Sequence, residues 1–164
     1  PETAFLDVPA LNKRILAIRG KGVWLNGKQL TSKSRLFSQS ACVSLCSRSI
    51  RILQRRPDKP FPGKIRLLGV SSLNMIGVAI GQTIAALEAT PKIWDLASAW
   101  LILSELECSI KWLDLDPSKL KAGQDLTSVS FPVLTASSMN ELEKLLPWGE
   151  VLMNSWINIQ DNRA

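Results

Sequence analysis

The chain has 164 residues, 46% hydrophobic and 21% charged, with a formal net charge of +6. That composition and length suit one globular domain with a sizeable core and leave no room for a second complete one. The sequence has no histidine and no tyrosine, which excludes Ser-His-Asp and Cys-His catalysis, histidine general bases and histidine-bearing zinc sites within these residues and leaves carboxylate, lysine, thiol or metal chemistry.

In chain order, the opening PETAFLDVPALNK begins at Pro1 and has neither a basic leader nor a continuous apolar core. The expectation is a soluble, cytoplasmic protein whose beginning, with any targeting signal, is missing. The apolar run inside Arg14 to Arg19, then Gly22 to Leu25, the Asn26-Gly27 turn and Lys28 to Leu30 read as a β meander. Ala41 to Leu45 reads as a strand and Arg48 to Arg55 as a short helix or irregular segment ending before Pro57. Lys64 to Leu68 is the next expected strand, and Gly69 opens a small-residue turn into a helix from Ser71 to Ile80, stopped by Gly81.

Thr83 to Glu88 then reads as a strand and Trp94 to Leu106 as a helix with Ala97, Trp100, Leu101 and Ser104 along one side. Ile110 to Leu113 and Val133 to Ala136 are short strands, and Ser138 to Leu146 the last helix. Strands alternating with helices give an α/β (α+β layered) fold. The expected division is a β-hairpin region over 1–40, an α/β domain over 41–147 and a tail over 148–164.

No apolar run reaches the roughly eighteen residues of a membrane span; the most apolar stretch, Leu67 to Ala89, is broken by Ser71, Ser72, Asn74, Gln82 and Glu88. Arg48, Arg51, Arg55, Arg56, Lys59, Lys64 and Arg66 cluster around a Pro-rich turn, with Phe61 the only aromatic among them. Such a stretch lacks the interleaved stacking platforms of a nucleic-acid groove, so no nucleic-acid polymer is expected, and a phosphorylated small molecule stays compatible. Cys42, Cys46 and Cys108 form no C-x-x-C pair and are odd in number, which points to reduced thiols.

Two motif matches fail on context. Cys42 to Arg48 has the C-x5-R spacing of cysteine phosphatases, but the interior Val43-Ser44-Leu45-Cys46-Ser47 has β character and no glycine to wrap amides around a phosphate. Asp114-Leu115-Asp116-Pro117-Ser118 fits D-x-D-x-[ST], yet only Lys119 to Ala164 follows, too little for the doubly wound domain which that aspartyl-phosphate chemistry requires.

Three ordered segments carry more. Trp94-Asp95-Leu96-Ala97-Ser98, with Glu105 further along, puts an acid at a helix start followed by small residues; by itself Asp95 could be a first-turn acid worth roughly 1 kcal/mol. Arg19-Gly20-Lys21-Gly22-Val23-Trp24-Leu25-Asn26-Gly27-Lys28-Gln29-Leu30 and Gly69-Val70-Ser71-Ser72-Leu73-Asn74-Met75 precede it. Together they resemble the inositol monophosphatase family: its W-D-x-A-(A/S/G)…E signature, its (R/K)-G-x-G-(A/V)-x-x-N-G hairpin and its G-(T/S)-A-A-(V/L)-x-(M/L) strand-to-helix turn. In the last of these Val70 is off pattern and serines replace both alanines. The resemblance runs from about Arg14 to Leu146.

That resemblance implies the C-terminal part of an αβαβα sandwich and a phosphatase that uses Mg²⁺. It makes Asp95 a catalytic metal ligand and Glu88, seven residues earlier, an acid that hydrogen-bonds the alcohol part of the substrate. A solvent-facing strand-end acid is the alternative reading of Glu88. Gly69, Val70 and Ser71 would present backbone groups to substrate hydroxyls, with a plain helix-opening turn as the alternative, and Ser47 would match a family serine that contacts the ring, with an exposed loop serine as the alternative. The implied substrate is an inositol phosphate, sugar phosphate or nucleotide bisphosphate. Glu105-Leu106-Glu107-Cys108 stands where the family has E-A-G-G, so the turn must be built differently. The family's glutamate and D-P-x-D-G-T metal segment do not occur in the sequence. Expected, therefore, is a chain inactive alone; the alternative is a non-catalytic binding or assembly module. Unpaired hairpin strands favour a homodimer.

Overall fold

The computed structural model describes residues 1–32, 42–50 and 59–161, with side chains described as far as Asn154. Arg51, Arg55, Arg56 and the end of the segment expected over Arg48 to Arg55 lie outside the described residues.

Among the described residues nine strands form two sheets. The first is an antiparallel meander in the order β1-β2-β3-β4, built from β1 (Thr3–Val8), β2 (Lys13–Ile18), β3 (Gly22–Leu25) and β4 (Lys28–Leu30). The β3–β4 turn follows the expected chemistry, with Asn26 and Gly27 both at positive φ (49° and 80°), the conformation that a two-residue hairpin of this twist demands. β1 is an addition to the sequence reading. It alternates Ala4 inward and Phe5 outward, and because Phe5 is apolar yet 60% exposed, the period-2 contrast on which a strand assignment relies is blurred.

The second sheet has the order β6-β5-β7-β9-β8. Its strands are β5 (Cys42–Leu45), β6 (Lys64–Arg66), β7 (Ala85–Glu88), β8 (Ser109–Trp112) and β9 (Val133–Ala136). β6, β5 and β7 run parallel, and β9 pairs antiparallel with both β7 and β8. Strand β7 shows why both faces are covered. Ala86 packs into a core with α1 (Ser71–Ala79), α2 (Ile93–Glu105) and the inner face of the meander, whereas Ala85 and Leu87 pack into a second core under α3 (Met139–Asp161). The layers therefore run meander, α1 and α2, five-stranded sheet, α3, a mixed α/β sandwich.

Two element readings change. Of the side Ala97, Trp100, Leu101 and Ser104, only Leu101 is buried; the core takes Leu96, Ala99, Ile102 and Leu103. The helix is apolar nearly all round, so periodicity could not select its inward face. The last helix does not stop at Leu146 but runs through Pro147 to Asp161. Leu142, Leu145, Trp148 and Leu152 are all buried against the sheet, and each such side chain contributes roughly 1.5–3 kcal/mol, enough to offset a proline penalty of about 3 kcal/mol.

The turn after α2 shows what replaces the family's glycines. Glu107 sits at φ 56°, its amide donates to the Ser104 carbonyl at 3.1 Å, and Cys108 donates to the Leu103 carbonyl at 2.9 Å. This is the two-bond C-terminal helix cap that normally carries glycine in the left-handed position.

Candidate active site

Because β5, β6 and β7 are parallel, their carboxyl ends share one edge of the sheet, the place where open α/β sheets take ligands. Three connections leave that edge: Cys46 to Ile50 after β5, Leu67 to Val70 into α1, and Ala89 to Lys92 into α2. Both helices thus open there, each presenting the positive end of its dipole. At α1 the N-cap is Val70, no side chain caps the terminus and the first turn carries no acid. Gly69 has φ +77° with nothing within 4 Å of a built Cβ, so glycine is required there for the backbone bend and not for space.

Glu88, the last residue of β7, is fully buried, which rules out the solvent-facing alternative. Ser71 Oγ donates to its Oε2 at 2.7 Å and Asn74 Nδ2 donates to its Oε1 at 2.6 Å. Ser71 and Asn74 are three residues apart in α1 and so share the face turned to β7. Burial pushes the Glu88 carboxyl above the ordinary carboxylate range; the two hydrogen bonds pull it back in part, and the charge of Asp95 pushes it further up. The two acids are therefore within electrostatic reach of each other.

Asp95 lies in the first turn of α2, partly buried, and its Oδ2 accepts from the Lys92 amide at 2.8 Å. Lysine at the N-cap has no acceptor to offer, so Asp95 carries the cap, as a first-turn acid would. On the neighbouring turns the exposed Arg48 reaches Thr90 Oγ1 at 3.3 Å, and Lys92 Nζ donates to the Ser128 carbonyl at 2.7 Å.

The structure thus brings Gly69, Val70, Ser71, Glu88 and Asp95 to one edge. Ser47 reaches it too, exposed on the turn after β5. Sequence reasoning did not single out Asn74, although a lone amide between Leu73 and Met75 on an apolar helix was a visible signal. It also took Glu105 only as the end of the signature. Its Oε1 and Oε2 accept from the Gly20 and Gly22 amides at 2.9 and 3.0 Å, tying the meander to the far end of α2.

The rejected motifs stay rejected. Cys42 begins β5 and Arg48 lies in the turn beyond its far end, and Asp116 caps the turn Pro117–Lys119 by accepting from the Ser118 amide. Among the described residues no three Cys, Asp or Glu side chains gather where a metal ion could be held. The donor chemistry near Asp95 suits Mg²⁺, a hard ion that takes oxygen ligands, but the fit extends to one carboxylate, because Glu88 is fully buried with a donor on each oxygen. No helix among the described residues is long and apolar enough to cross a membrane.

The fold is thus an α/β sandwich with two acids between two helix openings at the ends of parallel strands. The sequence profile of the inositol monophosphatase family matches residues 1–144, and the chain belongs to that family. An inositol monophosphatase family protein from Staphylococcus aureus is 25% identical, with 88% of this chain and 56% of that one covered and a TM-score of 0.65. An IMPase/NADP phosphatase complexed with Mg²⁺ and phosphate is 24% identical over 88% of this chain and 54% of its own, with a TM-score of 0.64. A dual specific IMPase/NADP phosphatase bound with D-inositol-1-phosphate is 24% identical over 88% and 55%, with a TM-score of 0.63. The chain thus spans about half the length of the solved structures that it matches. No curated protein matches it.

Proposed function

We propose that this chain supplies the alcohol-side wall and one magnesium ligand of a Mg²⁺-dependent phosphomonoesterase that acts on an inositol phosphate, sugar phosphate or nucleotide bisphosphate. The observation that carries the reading is the placement of Glu88 at the end of β7 and Asp95 in the first turn of α2, on the sheet edge where two helices present their amino ends, which favour phosphate. Solved relatives that hold Mg²⁺ with phosphate, and D-inositol-1-phosphate, support the same reading.

Asp95 is the residue that would hold the metal, through the oxygen not engaged by the Lys92 amide. A Mg²⁺ ion held there by Asp95 would supply charge neutralisation for the phosphate and would make bound water more acidic. The chain's own residues do the rest: α1 and α2 orient the phosphate through their amino ends, Arg48 adds positive charge, and Val70 and Ser71 face the alcohol. One carboxylate leaves Mg²⁺ mostly hydrated and weakly held, so the chain alone is inactive and a working site needs the further carboxylates that the family resemblance places upstream of the hairpin. The reading also includes a homodimer in the cytoplasm. Sheet edges at β1 and β4 and three cysteines without a disulfide are in keeping with it.

The test has two arms. Manganese should broaden the amide resonances around Asp95 in wild type and not in Asp95→Asn; equal broadening in both would remove Asp95 as a ligand. The chain should show no hydrolysis of inositol monophosphate or adenosine bisphosphate with magnesium, and turnover that vanished in Asp95→Ala would overturn its inactivity. A non-catalytic assembly module is the second reading, favoured by the lack of a three-ligand cluster among the described residues. An in-frame D-P-x-D-G-T segment upstream in the gene would decide against it.

A further inference from the structure

Resting on that reading of the site, the surroundings of Glu88 change what the wall offers a substrate. A carboxylate that receives substrate hydroxyls needs an oxygen facing the cleft. Here Glu88 has no exposed surface, and each of its oxygens already has a donor, Ser71 Oγ at 2.7 Å and Asn74 Nδ2 at 2.6 Å. Both donors come from the first four residues of α1, the helix whose entry turn lines the edge. Asn74 is itself fully buried, whereas Ser71 is only partly so and stands between Glu88 and the open edge. The strand-to-helix turn which this segment resembles has alanine at position 71, and alanine has nothing to donate.

We propose that Ser71 is a specificity-determining residue: its hydroxyl covers the Glu88 carboxylate, so the alcohol part of a phosphate ester meets the serine and not the acid. Glu88 becomes a positioning residue that fixes the Ser71 hydroxyl. With its proton committed to Glu88, Ser71 Oγ can only accept, and as a neutral acceptor it binds a substrate hydroxyl less strongly than a carboxylate does. An exposed positive charge on the same edge is the Arg48 guanidinium, held at Thr90. The wall thereby holds a polyol hydroxyl less tightly than an open carboxylate would, and any anionic group on the alcohol meets Arg48 and not Ser71.

The experiment follows the Glu88 side-chain carboxyl by carbon-detected NMR while myo-inositol, inositol monophosphate or adenosine bisphosphate is added to the full chain with magnesium. In wild type, the Ser71 amide should shift with the inositol ligands and the Glu88 carboxyl should not. In Ser71→Ala the Glu88 carboxyl should shift as well, and inositol should bind about tenfold more tightly, the scale of one charge-assisted hydrogen bond, with adenosine bisphosphate binding unchanged. Ser71→Thr keeps the hydroxyl and should behave as wild type. A wild-type Glu88 carboxyl that moves with myo-inositol overturns the proposal, and that measurement decides alone should the alanine variant fail to fold. If no resonance at this edge responds to any ligand in any variant, the proposed function itself falls, and the role of Ser71 with it.

Discussion

The two ends of α2 are held by acids of the same signature, and they are held differently. At the amino end Asp95 accepts one backbone amide from its own turn, lies where the helix dipole favours negative charge and keeps an oxygen for other work. At the carboxyl end Glu105 sits against the dipole, and both its oxygens are committed to the Gly20 and Gly22 amides of the meander. One end is capped economically and left open at the sheet edge; the other is locked across two layers and bends through a strained Glu107. An acid in a signature motif can therefore be kept for architecture as well as for chemistry.

Substitutions can break or sharpen this contrast. The largest effect should come from Ile102→Ala, which removes a fully buried side chain from the part of the helix shared by both ends; a loss of roughly 2–5 kcal/mol is expected in urea denaturation. Glu105→Ala should cost roughly 2 kcal/mol, because two amides lose a charged acceptor, and hydrogen exchange should rise at Gly20 and Gly22 in particular. Asp95→Ala should cost less, about 1 kcal/mol for a lost cap, while abolishing metal broadening at this edge. Equal stability losses for Glu105→Ala and Asp95→Ala would erase the distinction drawn between the two ends. Glu107→Gly should raise stability by about 1 kcal/mol, since glycine relieves the left-handed strain; a lower melting temperature would show that the Glu107 side chain has a role of its own.

The remaining prediction concerns pH dependence. Burial raises the Glu88 carboxyl above its unfolded value, so the folded state binds the extra proton more tightly than the unfolded chain does. Stability from this group is complete below the unfolded value and is lost as pH rises through the raised folded one, the opposite of the usual carboxylate. Glu88→Gln preserves a donor for Ser71 and an acceptor for Asn74 without titrating, and should flatten the fall in melting temperature over that window. Asp116 and Asp125 work the other way. Hydrogen bonds from Ser118 and Thr127 hold them low, so their small, solvent-screened contributions vanish as pH falls through those lowered values.

Much of this was legible in the residues. The Asn26-Gly27 hairpin, the Gly69 bend, the helix after it and the first-turn position of Asp95 follow from local chemistry: φ preferences, N-terminal acids and a change of hydrophobic period. The family could be named on those segments because they are short-range patterns that survive without the rest of the fold. Strand β1, the inward face of α2 and the continuation of α3 past Pro147 were not legible, because in each case apolar residues lie on more than one side and only packing selects among them. The helix end expected at Leu146 fell short for a definite reason: the local cost of Pro147, about 3 kcal/mol, is outweighed by burial of Trp148 and Leu152, which no local rule contains.

The sequence by itself determined which chemistry is possible, by offering carboxylates and no histidine, and it set Glu88 and Asp95 seven residues apart around a helix opening. Tertiary structure alone decided what each acid is free to do. Glu88 reaches its partners Ser71 and Asn74 across 17 and 14 residues of chain, and Glu105 reaches Gly20 across 85. Such pairings come from the crossover of α1 over a parallel sheet and the stacking of the meander on α2, and a carboxylate's reactivity depends on which donors surround it and how much water they exclude.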